Sequence, residues 1–357
     1  MKGKLNKFAG LKGKYLLVSG FPLQLENMRI AINGMGRIGR LLFRRLMDQS
    51  EHQLIAVNDI METDNLAYLL KYDSLYGTLQ ENVVAEENNL ICGSKKIVSL
   101  KEANAENLPW KELDIDIVLE CSGRYTSKEG AEVHLRAGAK KVLLSTTGSS
   151  EIPLMIYGYN HHQLTKETPI VAPGGCMTNC TTHVLYILNS IGIESAQINI
   201  LHSYTSRQQL VDTWHKQFRR GRAAAESIIP VEIDLHISLE RLMPVLKNKV
   251  MATSTRVPVT NGAMADFSVQ LTDAVTVDEV NALFKKAAVN DYKGILDYTE
   301  DPLVSADIKG NRNSCLIDGT LTSVVGKQVK IIAWFDNEYG FTSRMIDWLN
   351  YWKKTMK

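Results

Sequence analysis

"MRIAINGMGRIGRLLFRRLMDQ", residues 28–49, opens on a short apolar run from Ile30 to Ile32. It then passes through three glycines into a segment with Ile38, Leu41, Leu42 and Leu46 at helical spacing. Gly34-x-Gly36-x-x-Gly39 therefore falls on a strand-to-helix turn. A missing Cβ there lets the chain bend tightly and the backbone approach a pyrophosphate. It also lets the helix pack closely on the strand, while the helix N-terminus faces the anion; Arg37 and Ile38 lie inside this turn. A second apolar run, residues 54–58, ends in Asp59, where an acid would hold both ribose hydroxyls and reject a 2′-phosphate. NAD is thus favoured over NADP. The plainer alternative, a glycine-rich turn in an ordinary βαβ unit with Asp59 as a loop acid, does not require strand, glycines, helix, strand and acid in that order.

Further along, "DIDIVLECSG" (114–123) and "KKVLLST" (140–146) read as buried strands, and "SKEGAEVHLRAG" (127–138) reads as a helix. Strands alternating with helices predict an α/β fold with a Rossmann-type doubly wound parallel sheet. The cofactor is expected across the strand ends near Ser122 and Gly123.

The chain has 357 residues, more than one core usually serves, so two domains are expected. With 45% hydrophobic and 22% charged residues the composition is that of a soluble protein, and no apolar run is long enough to cross a bilayer. A net charge of +2 gives no global field for nucleic acid, so a small molecule is the expected partner. Residues 1–27 carry five lysines and no acid before Glu26. Tyr15 to Val18 is too short an apolar stretch for a secretory signal. A poorly ordered leader or an upstream start codon is the simpler reading, and a basic targeting arm is the other. Five cysteines, an odd number scattered through a large chain, fit a reducing cytoplasm better than a disulfide framework.

Two of those cysteines lie in "VAPGGCMTNCTTH" (171–183). Metal ligation needs about four donors, and no second Cys/His pair at zinc-binding spacing accompanies them, so no metal is expected. From Met177 the sequence turns helical, which places Cys176 at a helix N-terminus, where the macrodipole and free N–H groups favour a thiolate. Cys180, one turn deeper, reads as a small buried hydrophobe. Cys176 is the candidate nucleophile, and it needs a base. Of eight histidines, His202 ends the apolar strand "SAQINIL" and opens a polar loop, the position at which α/β sheets present functional groups.

Seven segments carry a family resemblance: "INGMGRIGR" (32–40), "YDSLYG" (72–77), "CMTNC" (176–180), "HSYT" (202–205), "RRGRAAAESIIP" (219–230), "RVPV" (256–259) and "WFDNEYGF" (334–341). In this order they resemble the phosphorylating glyceraldehyde-3-phosphate dehydrogenase family, which includes erythrose-4-phosphate dehydrogenases. The resemblance runs from Met28 to the C-terminus. It implies a homotetramer with an NAD-binding domain (28–175), a catalytic domain built on a mixed sheet (176–341) and a final helix (342–357) packing back on the first domain. It also implies Cys176 as nucleophile, His202 as acid/base, and Gly34, Gly36, Gly39 and Asp59 at the cofactor with Asn337 near the nicotinamide. Thr205 and Arg256 would hold the phosphate ester of a sugar phosphate. The arginines at 219, 220 and 222 fall in a loop where subunit and substrate contacts are both expected.

Departures from the family pattern cluster. The usual Ala-Ser-Cys-Thr-Thr-Asn run is here Gly174-Gly175-Cys176-Met177-Thr178-Asn179, and a Thr-Gly pair after "SIIP" is replaced, most simply by Ile233-Asp234. The hydroxyls missing at 175 and 177 and at the later pair are among those that usually bind attacking phosphate. Three lost donors at about 0.5–1.5 kcal/mol each, or about 1.5–3 to a charged group, weaken phosphate binding on the order of a hundredfold or more. Arg207 stands where the family usually has Thr or Asp; it either adds a cation for a phosphate ester or points to solvent. The leading expectation is NAD-dependent oxidation of glyceraldehyde 3-phosphate through a cysteine thiohemiacetal and thioester. Erythrose 4-phosphate oxidation with hydrolytic release is the alternative. A non-catalytic NAD- and metabolite-binding paralogue is a further one, opposed by the retained Cys176, His202, Thr205 and Arg256.

Overall fold

A computed structural model of the chain describes residues 27–48 and 51–355, so the leader up to residue 26 lies outside the described residues. The first part contains β1 (Met28–Asn33), α1 (Arg37–Met47), β2 (His52–Asn58), α2 (Thr63–Lys71), a small hairpin of β3 (Tyr72–Asp73) and β4 (Gly77–Thr78), then β5 (Val83–Glu86), β6 (Asn89–Cys92) and β7 (Lys95–Leu100). It continues with β8 (Ile117–Glu120), α3 (Lys128–Arg136), β9 (Lys141–Leu144) and β10 (Ile170–Val171). The sheet order is β10-β9-β8-β1-β2-β7-β6-β5. From β10 to β7 every neighbouring pair is parallel, and β6 and β5 add an antiparallel edge. Every residue of β8 and β9 is buried, which is why those runs are continuously apolar rather than alternating. The chain leaves β1 toward β2 on one side and returns to β8 on the other. The crevice at this reversal, outside the carboxyl ends of β1 and β8, is where doubly wound sheets take their ligands.

The second part begins with α4 (Cys176–Leu188) and β11 (Ile193–Ser203), followed by β12 (Ile229–Val231), α5 (Leu235–Leu242), β13 (Val250–Val257), β14 (Ala263–Leu271), α6 (Val277–Val289), β15 (Leu296–Thr299), β16 (Cys315–Asp318), β17 (Ser323–Val325) and β18 (Gln328–Phe335). Its sheet is mixed, in the order β12-β13-β11-β14-β18-β16-β15. Alternate residues of β13 and β14 are buried, so one face of this sheet packs on the core under α4, α5 and α6. Helix α4 is buried along almost its whole length from Thr178, and Cys180 is enclosed in that core with Cys315. Cys92, Cys121, Cys176, Cys180 and Cys315 are all free thiols.

The last helix, α7 (Tyr339–Thr355), leaves the second sheet and returns to the first part. Its Phe341, Met345, Trp348 and Trp352 share a core with Met28, Ile30, Leu42 and Phe43. Each large apolar side chain buried this way contributes about 1.5–3 kcal/mol. Arg37 at the start of α1 adds a polar tie, pairing with Glu338 at 2.7 Å and with Asp73. Among the described residues no helix is long and apolar enough to cross a membrane.

Candidate active site

Cys176 is the first residue of α4. The chain reaches it through Gly174, whose φ of 74° is left-handed and whose Cβ, if present, would meet Ile156 Cδ1 at 2.8 Å and Thr178 Cβ at 3.1 Å. Only glycine fits that turn. Asn179 locks it from inside the helix, its Nδ2 donating to the carbonyls of Pro173 and Gly175, both at 2.9 Å.

His202 sits one residue before the end of β11 and is buried. Its Nδ1 lies 2.7 Å from the carbonyl oxygen of Ser203. A carbonyl only accepts, so Nδ1 carries the hydrogen and the lone pair of Nε2 faces Cys176 Sγ, 3.7 Å away. Burial and the nearby Arg256 charge push His202 down to about 3, so the imidazole is neutral and available as a base.

At Cys176 the helix N-terminus that favours a thiolate is opposed by burial. Burial pushes the thiol up to about 11, against the opposing pull of Arg256 and of the backbone N–H groups of Met177 and Cys176. The helix terminus assists the sulfur, and an acceptor for its proton, His202 Nε2, lies 3.7 Å away.

Arg256 comes beside this pair through sheet register, since β11 and β13 run parallel with His202 opposite Arg256. Its Nη1 donates to the Ser203 carbonyl at 3.2 Å, while its Nε is buried without a hydrogen-bond partner among the described residues. Burial lowers its pKa to about 10, helped by the charges of Arg220 and Arg207, so it remains a cation at neutral pH. A cleft of about 810 Å³ opens here, with Met177, Arg207, Arg220, Ile233, Asp234 and Arg256 among its walls. A second cleft, of about 330 Å³, lies at the sheet reversal and is walled in part by Gly34, Gly36, Asp59 and Ser122.

Comparison with known proteins places this arrangement. A family model described as glyceraldehyde 3-phosphate dehydrogenase, NAD binding domain, matches residues 28–128, and one described as glyceraldehyde 3-phosphate dehydrogenase, C-terminal domain, matches residues 175–337. Glyceraldehyde-3-phosphate dehydrogenase 2 of Bacillus subtilis (strain 168) is 40% identical, over 92% of this chain and 98% of the relative. Glyceraldehyde-3-phosphate dehydrogenase of Geobacillus stearothermophilus is 41% identical, over 91% and 98%.

The chain belongs to the glyceraldehyde-3-phosphate dehydrogenase family.

As a member of that family it is an NAD-dependent oxidoreductase. The cleft at the sheet reversal fits the dinucleotide on steric grounds. Gly34 (φ 94°) rests so close to the next strand that a Cβ would meet Ser122 N at 2.3 Å, and a Cβ on Gly39 would meet the Gly34 carbonyl oxygen at 2.0 Å. Gly36 and Gly123, by contrast, face open space, with nothing within 4 Å of a Cβ. The bare backbone there is what a pyrophosphate approaches. The Asp59 carboxylate is braced by the N–H groups of Met35 (2.6 Å) and Met61 (3.1 Å).

The other residues singled out in the sequence fall at varied distances from the two clefts. Gly39 serves packing of α1 on the turn, and half-buried Ile38 joins the core of the first part. The Arg37 guanidinium is taken up by Asp73 and Glu338 and does not wall the cofactor cleft. Asn337 lies on the catalytic side. Its Oδ1 accepts from the Ser203 hydroxyl (3.2 Å) and the Gly262 N–H (3.0 Å), which fixes the amide with Nδ2 as its donor end. Thr205 donates its hydroxyl to Gln208 Oε1 at 3.1 Å, accepts from the Arg207 N–H at 3.3 Å, and is not part of the cleft wall. Gly175 is the N-cap of α4. Residues not singled out, Asn33, Asn58 and Tyr125, also wall the cofactor cleft. The two asparagines end strands β1 and β2, and that position was their only signal in the sequence.

Proposed function

We propose that this enzyme oxidises a phosphorylated aldose, glyceraldehyde 3-phosphate first among them, through Cys176 and His202. The observation that carries the reading is the 3.7 Å approach of Cys176 Sγ to a neutral imidazole nitrogen whose tautomer is fixed by Ser203. The thiol proton passes to Nε2 as sulfur bonds to the aldehyde carbon, and Nε2 returns it to the carbonyl oxygen, giving a thiohemiacetal. Nε2 then takes the hydroxyl proton back as the hydride leaves carbon, and Cys176 remains as a thioester. NAD supplies the hydride acceptor for this step. Gly34, Gly36, Asp59, Ser122 and Gly123 would hold it from the cofactor side, and Asn337 Nδ2 would orient its nicotinamide end.

Arg256 holds the phosphate ester, with the exposed Arg207 as a further donor. Arg256→Ala is expected to raise KM for a phosphorylated aldose about 10- to 150-fold, the loss of charge-assisted bonds at about 1.5–3 kcal/mol. Oxidation of an unphosphorylated aldehyde should change far less, and equal losses on both substrates would take Arg256 out of phosphate recognition.

The names of the relatives favour glyceraldehyde 3-phosphate. A second reading, erythrose 4-phosphate oxidation with release by water, is favoured by the cleft wall itself. Met177, Ile233 and the carboxylate of Asp234 stand there in place of hydroxyl donors. The experiment is product analysis at varied inorganic phosphate with each aldose phosphate. We expect free acid to exceed acyl phosphate at low millimolar phosphate; acyl phosphate dominating there would restore an ordinary phosphate subsite.

A homotetramer belongs to this reading. Leu210, Trp214 and Phe218, 76%, 84% and 89% exposed, leave an apolar surface on the loop between β11 and β12 that suits another copy of the chain. The free thiols favour a reducing cytoplasm.

A further inference from the structure

Glu120 is the last residue of β8, and it is 2% exposed. Four donors converge on its two oxygens. Oε1 accepts from the backbone N–H of Ser122 (2.7 Å) and from the Ser122 hydroxyl (2.5 Å). Oε2 accepts from Asn33 Nδ2 (2.6 Å) and His134 Nε2 (2.8 Å). The other ring nitrogen of His134 faces Trp110 Nε1 at 3.1 Å, an atom that only donates, so the proton of His134 is on Nε2 and points at Glu120. Asn33 Oδ1 accepts in turn from Asn58 Nδ2 (2.7 Å), and Asn58 is tied to the Glu102 backbone by two bonds of 2.9 Å.

One carboxylate therefore holds the ends of β1 and β8 directly and the end of β2 through Asn33. Residues at or just beyond those ends, Gly34, Ser122 and Asp59, wall the cofactor cleft, whereas Glu120, His134 and Trp110 do not. Ser122 is also the surface against which Gly34 rests.

We infer that Glu120, oriented by His134 and Trp110, is a positioning residue that sets the affinity of the cleft for NAD by fixing the three strand ends that form it. A carboxylate is required because every group facing it donates. Glu120→Gln puts an amide NH2 against the Ser122 N–H if it turns one way and against the Asn33 and His134 donors if it turns the other, and the strand ends must separate to relieve it.

The test is an equilibrium titration with NAD, together with steady-state KM for NAD and for the aldose phosphate. Glu120→Gln is expected to weaken NAD binding about ten- to hundredfold, the effect of one or two unsatisfied buried donors. KM for NAD should follow, with KM for the aldose phosphate, bound in the other cleft, as the internal control. A second pair of variants covers poor folding of Glu120→Gln. His134→Gln keeps a donor near the position of Nε2 and gives up the acceptor for Trp110; His134→Asn does the reverse. His134→Gln should bind NAD within a few fold of the parent and His134→Asn several fold more weakly still. A role in stability alone would shift both melting temperatures and leave the two NAD affinities alike, and that result overturns the inference. So does a Glu120→Gln variant that folds and binds NAD as the parent does. The inference rests on the cleft at the sheet reversal being the NAD site. A parent enzyme that binds no NAD removes that reading together with the inference, whereas a binding parent with indifferent variants removes the inference only.

Discussion

Cys176→Ser should lower turnover of an aldose phosphate by about four orders of magnitude, the scale on which removing a covalent nucleophile acts. A hydroxyl is a far weaker acid than a thiol, and the base available is an imidazole held down to about 3. Even the thiol, pushed up to about 11, gives up its proton only as its bond to carbon forms. The replacement is nearly isosteric, and the cofactor cleft lies at the other sheet, so NAD titration should give the parental affinity. Rates of NADH formation measured beside that titration decide the matter, and a variant within tenfold of the parent would mean that sulfur is not the nucleophile.

His202→Asn should reduce kcat about a thousandfold, within the range that a positioned general base contributes. Asparagine can still reach the Ser203 carbonyl from the position of Nδ1, so the strand end keeps its tie, but nothing remains at the position of Nε2. The loss should fall on kcat, with KM for the aldose phosphate nearly unchanged. A rise in KM with kcat intact would instead make His202 a binding residue. Because the two side chains act on one proton, the double variant should be little worse than Cys176→Ser.

The nucleotide turn was legible because its requirements are local. Gly34 and Gly39 have no room for a Cβ, Asp59 follows a strand, and all lie within one βαβ unit. The start of α4 was legible to one residue for the same reason. His202 stood out only weakly among eight histidines. What distinguishes it is the register of two parallel strands that sets it opposite Arg256, far along the chain, and no local pattern encodes that pairing. At Cys176 the helix end is visible in sequence, whereas the burial that opposes it is not. Arg37, in the middle of the glycine motif, finds its partners at Asp73 and Glu338, the latter near the other end of the chain. Glu120 sat in plain view at the end of an apolar run. A lone acid there looks like a surface residue until the donors of two other segments, Asn33 and His134, are seen to meet it.

The return of α7 bears on how the chain is made. Trp348 and Trp352, which fill the interior beside β1 and α1, lie far downstream of both in the chain. A nascent chain with only its first sheet emerged still has a hole where those indoles belong, so the nucleotide-binding part stays unfinished until the second sheet and α7 have followed.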